Sequence, residues 1–106
     1  MKTVLLINPP YFEDIFGNSK VRSAVDRGII VLGLASLAAP LRAAGHRVSI
    51  LDLNMAADPD AALSAALDKK KPDYAGITFT TPLSAVAQRL ASRIKAAVPS
   101  ASVVFG

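Results

Sequence analysis

The strongest constraint on the fold is the alternation of short, continuously apolar runs with segments of helical periodicity. Runs that are apolar throughout, rather than at every second residue, are typical of strands buried on both faces of a parallel sheet. Four such runs predict four buried strands, at Lys2–Ile7, Val48–Leu53, Tyr74–Thr80 and Ser102–Phe105.

Three segments between these runs have the residue spacing of amphipathic helices. The first ends before Gly45, which supplies the left-handed residue that often follows a helix. The second begins with Asp58 as N-cap and Pro59 at its first position, and the third begins in the same manner at Thr81-Pro82. The predicted buried stripes are Leu34, Leu37, Ala38 and Leu41 in the first helix, Leu63, Ala66 and Leu67 in the second, and Leu83, Val86, Ala87, Leu90 and Ile94 in the third.

The resulting order, β-α-β-α-β-α-β, predicts a doubly wound α/β domain of the Rossmann-like or flavodoxin-like type. We expect three layers around a parallel sheet of order 2-1-3-4, with strands 1 and 3 central because their apolar runs are the most continuous. A chain of 106 residues is one domain at most. Because residues 102–105 form a buried-type strand and then the chain ends at Gly106, we expect residues 1–106 to be a C-terminally truncated fragment of a longer enzyme.

The connection from Pro9 to about Gly28 has no pattern of its own. Connections beyond about 12–15 residues are usually functional or disordered. This one holds Tyr11, Phe12 and Phe16 at the carboxyl end of the first strand, where aromatic side chains could cover a flat ligand. We expect the part from about Phe12 to Asp26 to be mobile or to be ordered by a neighbouring molecule.

Composition and charge exclude several classes of function. The chain has no cysteine, which excludes disulfides and thiolate metal sites within it. The longest uncharged runs, 28–41 and 74–88, have 14 and 15 residues, too few to span a bilayer, and we expect no signal peptide. Lys69, Lys70 and Lys71 supply much of the net charge of +4, but a helix end accounts for them and no aromatic residues are interleaved with them. We therefore expect a cytoplasmic protein with neither a nucleic-acid nor a membrane partner.

Open parallel sheets bind ligands outside the carboxyl ends of their strands. Asn8, Pro9 and Pro10 follow the first strand there, and we take them as candidate cofactor-binding residues. Since this turn is bulky and poor in N–H donors, it argues against dinucleotide, P-loop and flavin phosphate sites. The corners offer neither a catalytic triad nor paired carboxylates, so we predict no catalytic residue and no metal site.

The single histidine, His46, precedes the second strand and lies at the amino end of the sheet. We assign it to the last carbonyls of the first helix rather than to a ligand. What remains at the carboxyl edge suits a large ligand held by shape and by a few hydroxyl groups, because Thr80 and Thr81 can each donate and accept hydrogen bonds. The alternative role for Thr81 is that of N-cap of the third helix alone.

These features together show a family resemblance. In their order and spacing, four stretches resemble the N-terminal cobalamin-binding domain of radical S-adenosylmethionine enzymes, in which a corrinoid domain precedes an iron–sulfur barrel. They are "VLLINPPY", "GLASLAAPLRAAGHRVSILDLN", "PDYAGITFTTP" and "PSASVVFG". In that family, serine and threonine residues at the end of strand 3 and a Gly-Gly pair after strand 4 line the corrin and its nucleotide tail. The resemblance assigns this role to Thr78, Thr80, Thr81 and Gly106.

The chain departs from cobalamin carriers that ligate cobalt through Asp-x-His-x-x-Gly after strand 1. No histidine lies in that connection, and His46 has Ala44 and Ser49 where the Asp and Gly should be. The resemblance therefore implies a corrinoid bound without a histidine on cobalt. The iron–sulfur cluster and S-adenosylmethionine would belong to a downstream radical domain, so the fragment itself would not be catalytic. The intact enzyme would transfer methyl groups or modify tetrapyrroles or natural products.

Two other hypotheses for the function remain. One is the N-terminal lobe of a glycosyltransferase, and the other is a degenerate Rossmann-like assembly domain without a cofactor. Glycosyltransferase lobes also have a helix ending in "AAGH", but they usually carry a glycine-rich first loop. Residues 1–106 alone are expected to bind a corrinoid weakly or not at all, because a fifth strand and a second glycine are missing. They are also expected to form a homodimer through the exposed edge of strand 4.

Overall fold

The computed structural model describes residues 1–10, 24–78 and 84–106, with only the backbone described for residues 24–33. Its strands are β1 (Thr3–Asn8), β2 (Arg47–Asp52), β3 (Tyr74–Ile77) and β4 (Ser102–Phe105). Its helices are α1 (Ala24–Ala43), α2 (Pro59–Lys70) and α3 (Ser84–Ala97), and a 3-10 turn, Leu53–Met55, follows β2.

The four strands form one parallel sheet in the order β2-β1-β3-β4, which confirms the predicted topology. The register pairs Ile7 of β1 with Leu51 of β2 and with Ile77 of β3, and Ile77 in turn with Phe105 of β4. Strands β1 and β3 are central, as expected from their continuous apolar runs. All four carboxyl ends therefore meet at one edge of the sheet.

Helices cover both faces of the sheet, which gives the predicted three layers. Side chains of α1 pack on one face, where the buried cluster is Val4, Leu6, Leu34, Ala38 and Val48. Helices α2 and α3 pack on the other face, where the larger cluster is Leu5, Ile7, Leu53, Leu63, Leu67, Ala75, Ile77, Val86, Ala87, Leu90, Ile94 and Ala101. Among the described side chains, the smaller cluster contains no residue of β3 or β4, so the described part of α1 covers only the β1–β2 half of its face.

The predicted helix ends are confirmed where the structure describes them. Gly45 has φ of 94°, and its N–H donates to the Arg42 carbonyl at 3.0 Å while the N–H of His46 donates to the Leu41 carbonyl at 3.1 Å. This is the Schellman arrangement that satisfies the final carbonyls of a helix. Asp58 is the N-cap of α2, and its side chain accepts from the N–H of Ala61 at 3.1 Å.

Two expectations about α1 were wrong. The helix begins at Ala24, so residues 24–28 are helical rather than part of an unpatterned connection. A glycine inside a helix costs only about 1 kcal/mol, and a long helix can include Gly28. The second error concerns Leu37, which we expected in the buried stripe but which is 57% exposed. It follows Leu34 on the stripe but lies beside the half of the sheet face that α1 leaves uncovered.

Several expectations fall on residues outside the described ranges. They concern the aromatic connection up to residue 23, the end of the third predicted strand at 79–80, and the start of the third helix at 81–83. Strand β3 is described to Ile77, and the residue after it, Thr78, still donates its N–H to the Ile7 carbonyl at 3.2 Å. Within the described ranges, no helix has the length and apolar character needed to cross a membrane.

Candidate functional site

Four polar or small residues form a row across the carboxyl edge of the sheet. Asn8 at the end of β1 pairs with Asp52 at the end of β2. On the other side of β1, the Thr78 N–H reaches the Ile7 carbonyl, and the Gly106 N–H reaches the Ile77 carbonyl at 3.0 Å. The row therefore runs Asp52, Asn8, Thr78, Gly106, and it brings together three of the predicted site residues from three strands.

Asn8 supports this edge from within the protein. The side chain is fully buried, and its Nδ2 donates to Oδ1 of Asp52 at 2.9 Å. The same carboxylate oxygen accepts from the Asn54 N–H at 3.1 Å. The Oδ1 atom of Asn8 has no hydrogen-bond partner among the described residues. Pro9 and Pro10 are buried as well, so the Asn-Pro-Pro turn underlies the edge and does not offer an exposed contact surface.

Replacing Asp52 by alanine is expected to lower the free energy of unfolding by about 1–3 kcal/mol. The substitution removes the acceptor of the buried Asn8 amide and the N-cap of the 3-10 turn. Urea denaturation followed by circular dichroism measures the change. Asp52→Asn is the matched control, because it keeps a side-chain oxygen acceptor and should lose less. Equal losses for the two variants would contradict the role assigned to the acceptor.

A cavity of about 430 Å³ opens beside this row, on the α1 face of the sheet, and we name it the edge cavity. Thr78 and Gly106 line it at the carboxyl edge. The remaining walls are apolar or aromatic and come from β1, α1, β3 and β4, namely Val4, Leu6, Leu34, Leu37, Tyr74, Gly76, Ile77 and Val104. No charged residue of the described chain lines it, so the edge cavity suits a largely apolar ligand with a few hydrogen-bonding groups.

Gly76 forms the floor of the edge cavity, in the middle of β3. A Cβ atom built on it would lie 3.1 Å from Cδ2 of Leu6, its register partner on β1. This distance is close contact, so any side chain at position 76 would need Leu6 to shift and would project into the cavity. A glycine inside a strand often marks a place where a ligand approaches the backbone closely.

Sequence reasoning missed most of the cavity wall. Leu34, Leu37, Gly76 and Val104 were not recognised as candidate site residues. A signal for two of them was present, because side chains two residues apart on a strand share a face. Counting back by two from Thr78 gives Gly76, and from Gly106 it gives Val104. No local signal showed that α1 would leave this part of the face open.

The histidine is at the opposite edge of the sheet, and its predicted role was partly wrong. The backbone N–H of His46 does bond a final carbonyl of α1, but its side chain does not. Instead, Nδ1 of His46 accepts the backbone N–H of Lys2 at 3.0 Å and so ties the start of β2 to the start of β1. The pairing joins residues 44 positions apart, which periodicity and spacing do not encode.

Two further points complete the site. The predicted site residues Thr80 and Thr81 lie outside the described residues. Among residues 1–10, 24–78 and 84–106 no group of three or more histidine and carboxylate side chains is placed to hold a metal ion.

Comparison with known proteins identifies one family. The family model described as "B12 binding domain" matches residues 20–106, which include everything from α1 to β4. Strand β1 and the Asn-Pro-Pro turn precede the matched range. No curated protein and no solved structure gives a significant match.

Proposed function

Because the chain belongs to the B12-binding domain family, we propose that it holds a cobalamin at the carboxyl edge of its sheet, with the nucleotide tail of the cofactor in the edge cavity. The family match favours this function over a glycosyltransferase lobe. The observation that carries the proposal is the edge cavity itself, which lies between the sheet and α1 and extends to Thr78 and Gly106 at the ends of β3 and β4.

The residues present fit this cofactor. The base of the nucleotide tail is a flat, mainly apolar ring system, and burying it against apolar walls stabilises the complex by roughly 25 cal/mol per Å² of area removed from water. The missing side chain at Gly76 leaves room for a ring to lie against the strand. The corrin ring carries amide groups on its rim, and the hydroxyl of Thr78 can donate to or accept from them. We assign the same role to Thr80 and Thr81, and close backbone approach to Gly106.

We further propose that no protein histidine binds the cobalt. His46 is the single histidine of the chain, and its Nδ1 is already bonded to the backbone of Lys2 at the amino edge of the sheet. The carboxyl edge is at the other end of the strands, so the imidazole of His46 is remote from the row of Asn8 and Thr78. This placement supports a corrinoid held by shape and hydrogen bonds alone.

Titration of the chain with hydroxocobalamin, followed by its visible spectrum, tests both proposals. We expect one-to-one binding too weak to saturate at micromolar protein but saturable at higher concentration, because the resemblance implies further contacts beyond Gly106. His46→Ala is expected to leave both the bound spectrum and the affinity unchanged. A spectrum that changes in His46→Ala would contradict the histidine-free proposal. A complete absence of saturable binding would instead favour an assembly domain without a cofactor.

The resemblance of the whole pattern to radical S-adenosylmethionine enzymes supports a proposal about the intact protein. There the corrinoid domain would precede a radical domain that supplies the iron–sulfur cluster and S-adenosylmethionine, for methyl transfer or for modification of a tetrapyrrole or natural product. Reading the gene beyond the codon of Gly106 tests this. A Cys-x-x-x-Cys-x-x-Cys sequence would support the proposal, and its absence over the next few hundred residues would refute it.

We also propose that the 106-residue chain forms a homodimer through β4. This strand lies at an edge of the sheet, and Val104 and Phe105 are 55% and 44% exposed. Edge strands with exposed apolar side chains tend to pair with another chain, and lysine on such an edge prevents pairing.

Sedimentation equilibrium tests this association. The wild-type chain should show a mass above the monomer value of 11.0 kDa, and Val104→Lys should shift it toward the monomer. Ser100→Lys is the matched control, since it adds the same charge in the turn before the strand and should leave association intact. A wild-type chain that stays monomeric at high concentration would overturn the proposal.

A further inference from the structure

A second cavity lies at the amino edge of the sheet; Val4 and Tyr74 line both it and the edge cavity, whereas Lys2, Leu41 and His46 line only the second cavity. It has a volume of about 370 Å³ and is lined by Lys2, Val4, Leu41, His46 and Tyr74. We name it the amino-edge cavity. Its walls combine the aliphatic side chains of Val4 and Leu41 and the ring of Tyr74 with two nitrogen-bearing side chains, so one part of the cavity is apolar and another can donate hydrogen bonds.

The hydrogen bond to Lys2 fixes which nitrogen of His46 can donate. Nδ1 accepts the backbone N–H of Lys2, so it carries no proton in this arrangement. In a neutral imidazole the proton must then be on Nε2, which becomes a donor. No partner for Nε2 is present in the part of the chain that the structure describes. The half-buried ring therefore brings a hydrogen-bond donor to the cavity.

Lys2 adds a positive charge beside this donor. Its ammonium group makes no ion pair within the described residues, and no carboxylate lines the cavity. The nearby acid, Asp73, uses Oδ2 to accept the N–H of Thr3 at 2.8 Å. The walls thus favour an anion over a cation.

The negative end of the α1 dipole does not cancel the preference of the amino-edge cavity for an anion. The negative end of a helix dipole disfavours anions, but cationic side chains in the last turn offset it. Arg42 lies in the last turn of α1 and donates from Nη2 to the Val48 carbonyl at 2.9 Å. The carbonyls of Leu41 and Arg42 already accept from His46 and Gly45, so the last turn presents few free acceptors to a ligand.

From these observations we propose that the amino-edge cavity binds a small organic monoanion, a carboxylate with an apolar body. The carboxylate would accept from the Lys2 ammonium and from Nε2 of His46, and the apolar body would lie against Val4, Leu41 and Tyr74. The site is separate from the carboxyl edge and does not depend on cobalamin binding.

Hexanoate is a suitable probe, with hexan-1-ol as its uncharged counterpart of the same chain length. Titration of the isotope-labelled 106-residue chain, followed by NMR, is expected to give saturable shifts at Lys2, Leu41 and His46 with hexanoate and at least fivefold weaker binding of hexan-1-ol. Lys2→Met keeps an unbranched side chain that is one atom shorter but removes its charge, and it should weaken hexanoate binding at least fivefold. Lys70→Met is the matched control, because Lys70 is exposed at the end of α2, and it should bind hexanoate as the wild type does.

Three results would overturn the proposal. They are equal affinity for hexanoate and hexan-1-ol, equal losses in Lys2→Met and Lys70→Met, and shifts confined to Thr78 and Val104 of the edge cavity. Because none of these measurements contains cobalamin, they leave the proposed cofactor function independently testable.

Discussion

Replacing Ile94 by alanine is expected to lower the free energy of unfolding by about 2–5 kcal/mol. Ile94 is fully buried in the C-terminal half of α3 and belongs to the larger core cluster. Shortening it removes apolar contacts and leaves a cavity that the surrounding residues fill only in part. Since domains of this size are stable by only about 5–15 kcal/mol, the variant should be close to its limit of stability.

Urea denaturation followed by far-ultraviolet circular dichroism measures this effect. Ile94→Val is the matched control, because it removes a single methylene and should cost about 0.5–1.5 kcal/mol. Ile94 lies on the face opposite the edge cavity, so a loss in the alanine variant reports on the core and not on the proposed cofactor site. A loss below about 1 kcal/mol for Ile94→Ala would show that α3 is packed less tightly than described.

Replacing Gly76 by valine is expected to weaken cobalamin binding at least tenfold, which corresponds to about 1.4 kcal/mol. The new side chain would begin in close contact with Leu6 and would occupy the floor of the edge cavity. Valine has a strongly restricted side-chain rotamer, so it cannot easily turn out of the way. Gly76→Ala adds less volume and should give a smaller loss, which makes the effect graded.

The same substitutions must leave the fold intact for this result to be informative. Overpacking costs about 1–3 kcal/mol, so thermal unfolding by circular dichroism should accompany each titration with hydroxocobalamin. Ser102→Val is the matched control, because it adds apolar volume to β4 outside the lining of the edge cavity. If Ser102→Val weakens binding as much as Gly76→Val, the tail of the cofactor does not occupy the edge cavity.

Some of the fold could be predicted because the relevant information is local. Continuous apolar runs identified four strands, and their continuity identified β1 and β3 as central; the predicted burial of β4 was wrong, because β4 lies at an edge of the sheet and is mostly exposed. Helix ends could be predicted equally well, since the Asp58 cap and the left-handed Gly45 depend on neighbours within a few positions. The helical state of Gly28 could not be predicted from local information. A helix that continues past a glycine depends on interactions with residues outside a short stretch of sequence.

The candidate site could be predicted only in part. Gly106 was identified because the carboxyl ends of parallel strands must meet at one edge, whereas Thr78 was assigned by the family resemblance. Asn8 was identified by position, but its burial and its bond to Asp52 depend on the pairing of β1 with β2. The side-chain bond of His46 to Lys2 likewise depends on contact between distant residues.

The sequence by itself determined the periodicities of the chain, and through them the elements, their ends and the parallel sheet. Periodicity indicates which face of a helix or strand is apolar, because that face must be removed from water. It does not indicate which neighbouring element buries the face, or how much of the face that element buries. Only the tertiary structure decided that the described part of α1 covers β1 and β2 and does not cover Gly76 and Val104. The position of the edge cavity follows from that choice, since an apolar surface becomes a binding site only where the rest of the chain does not bury it.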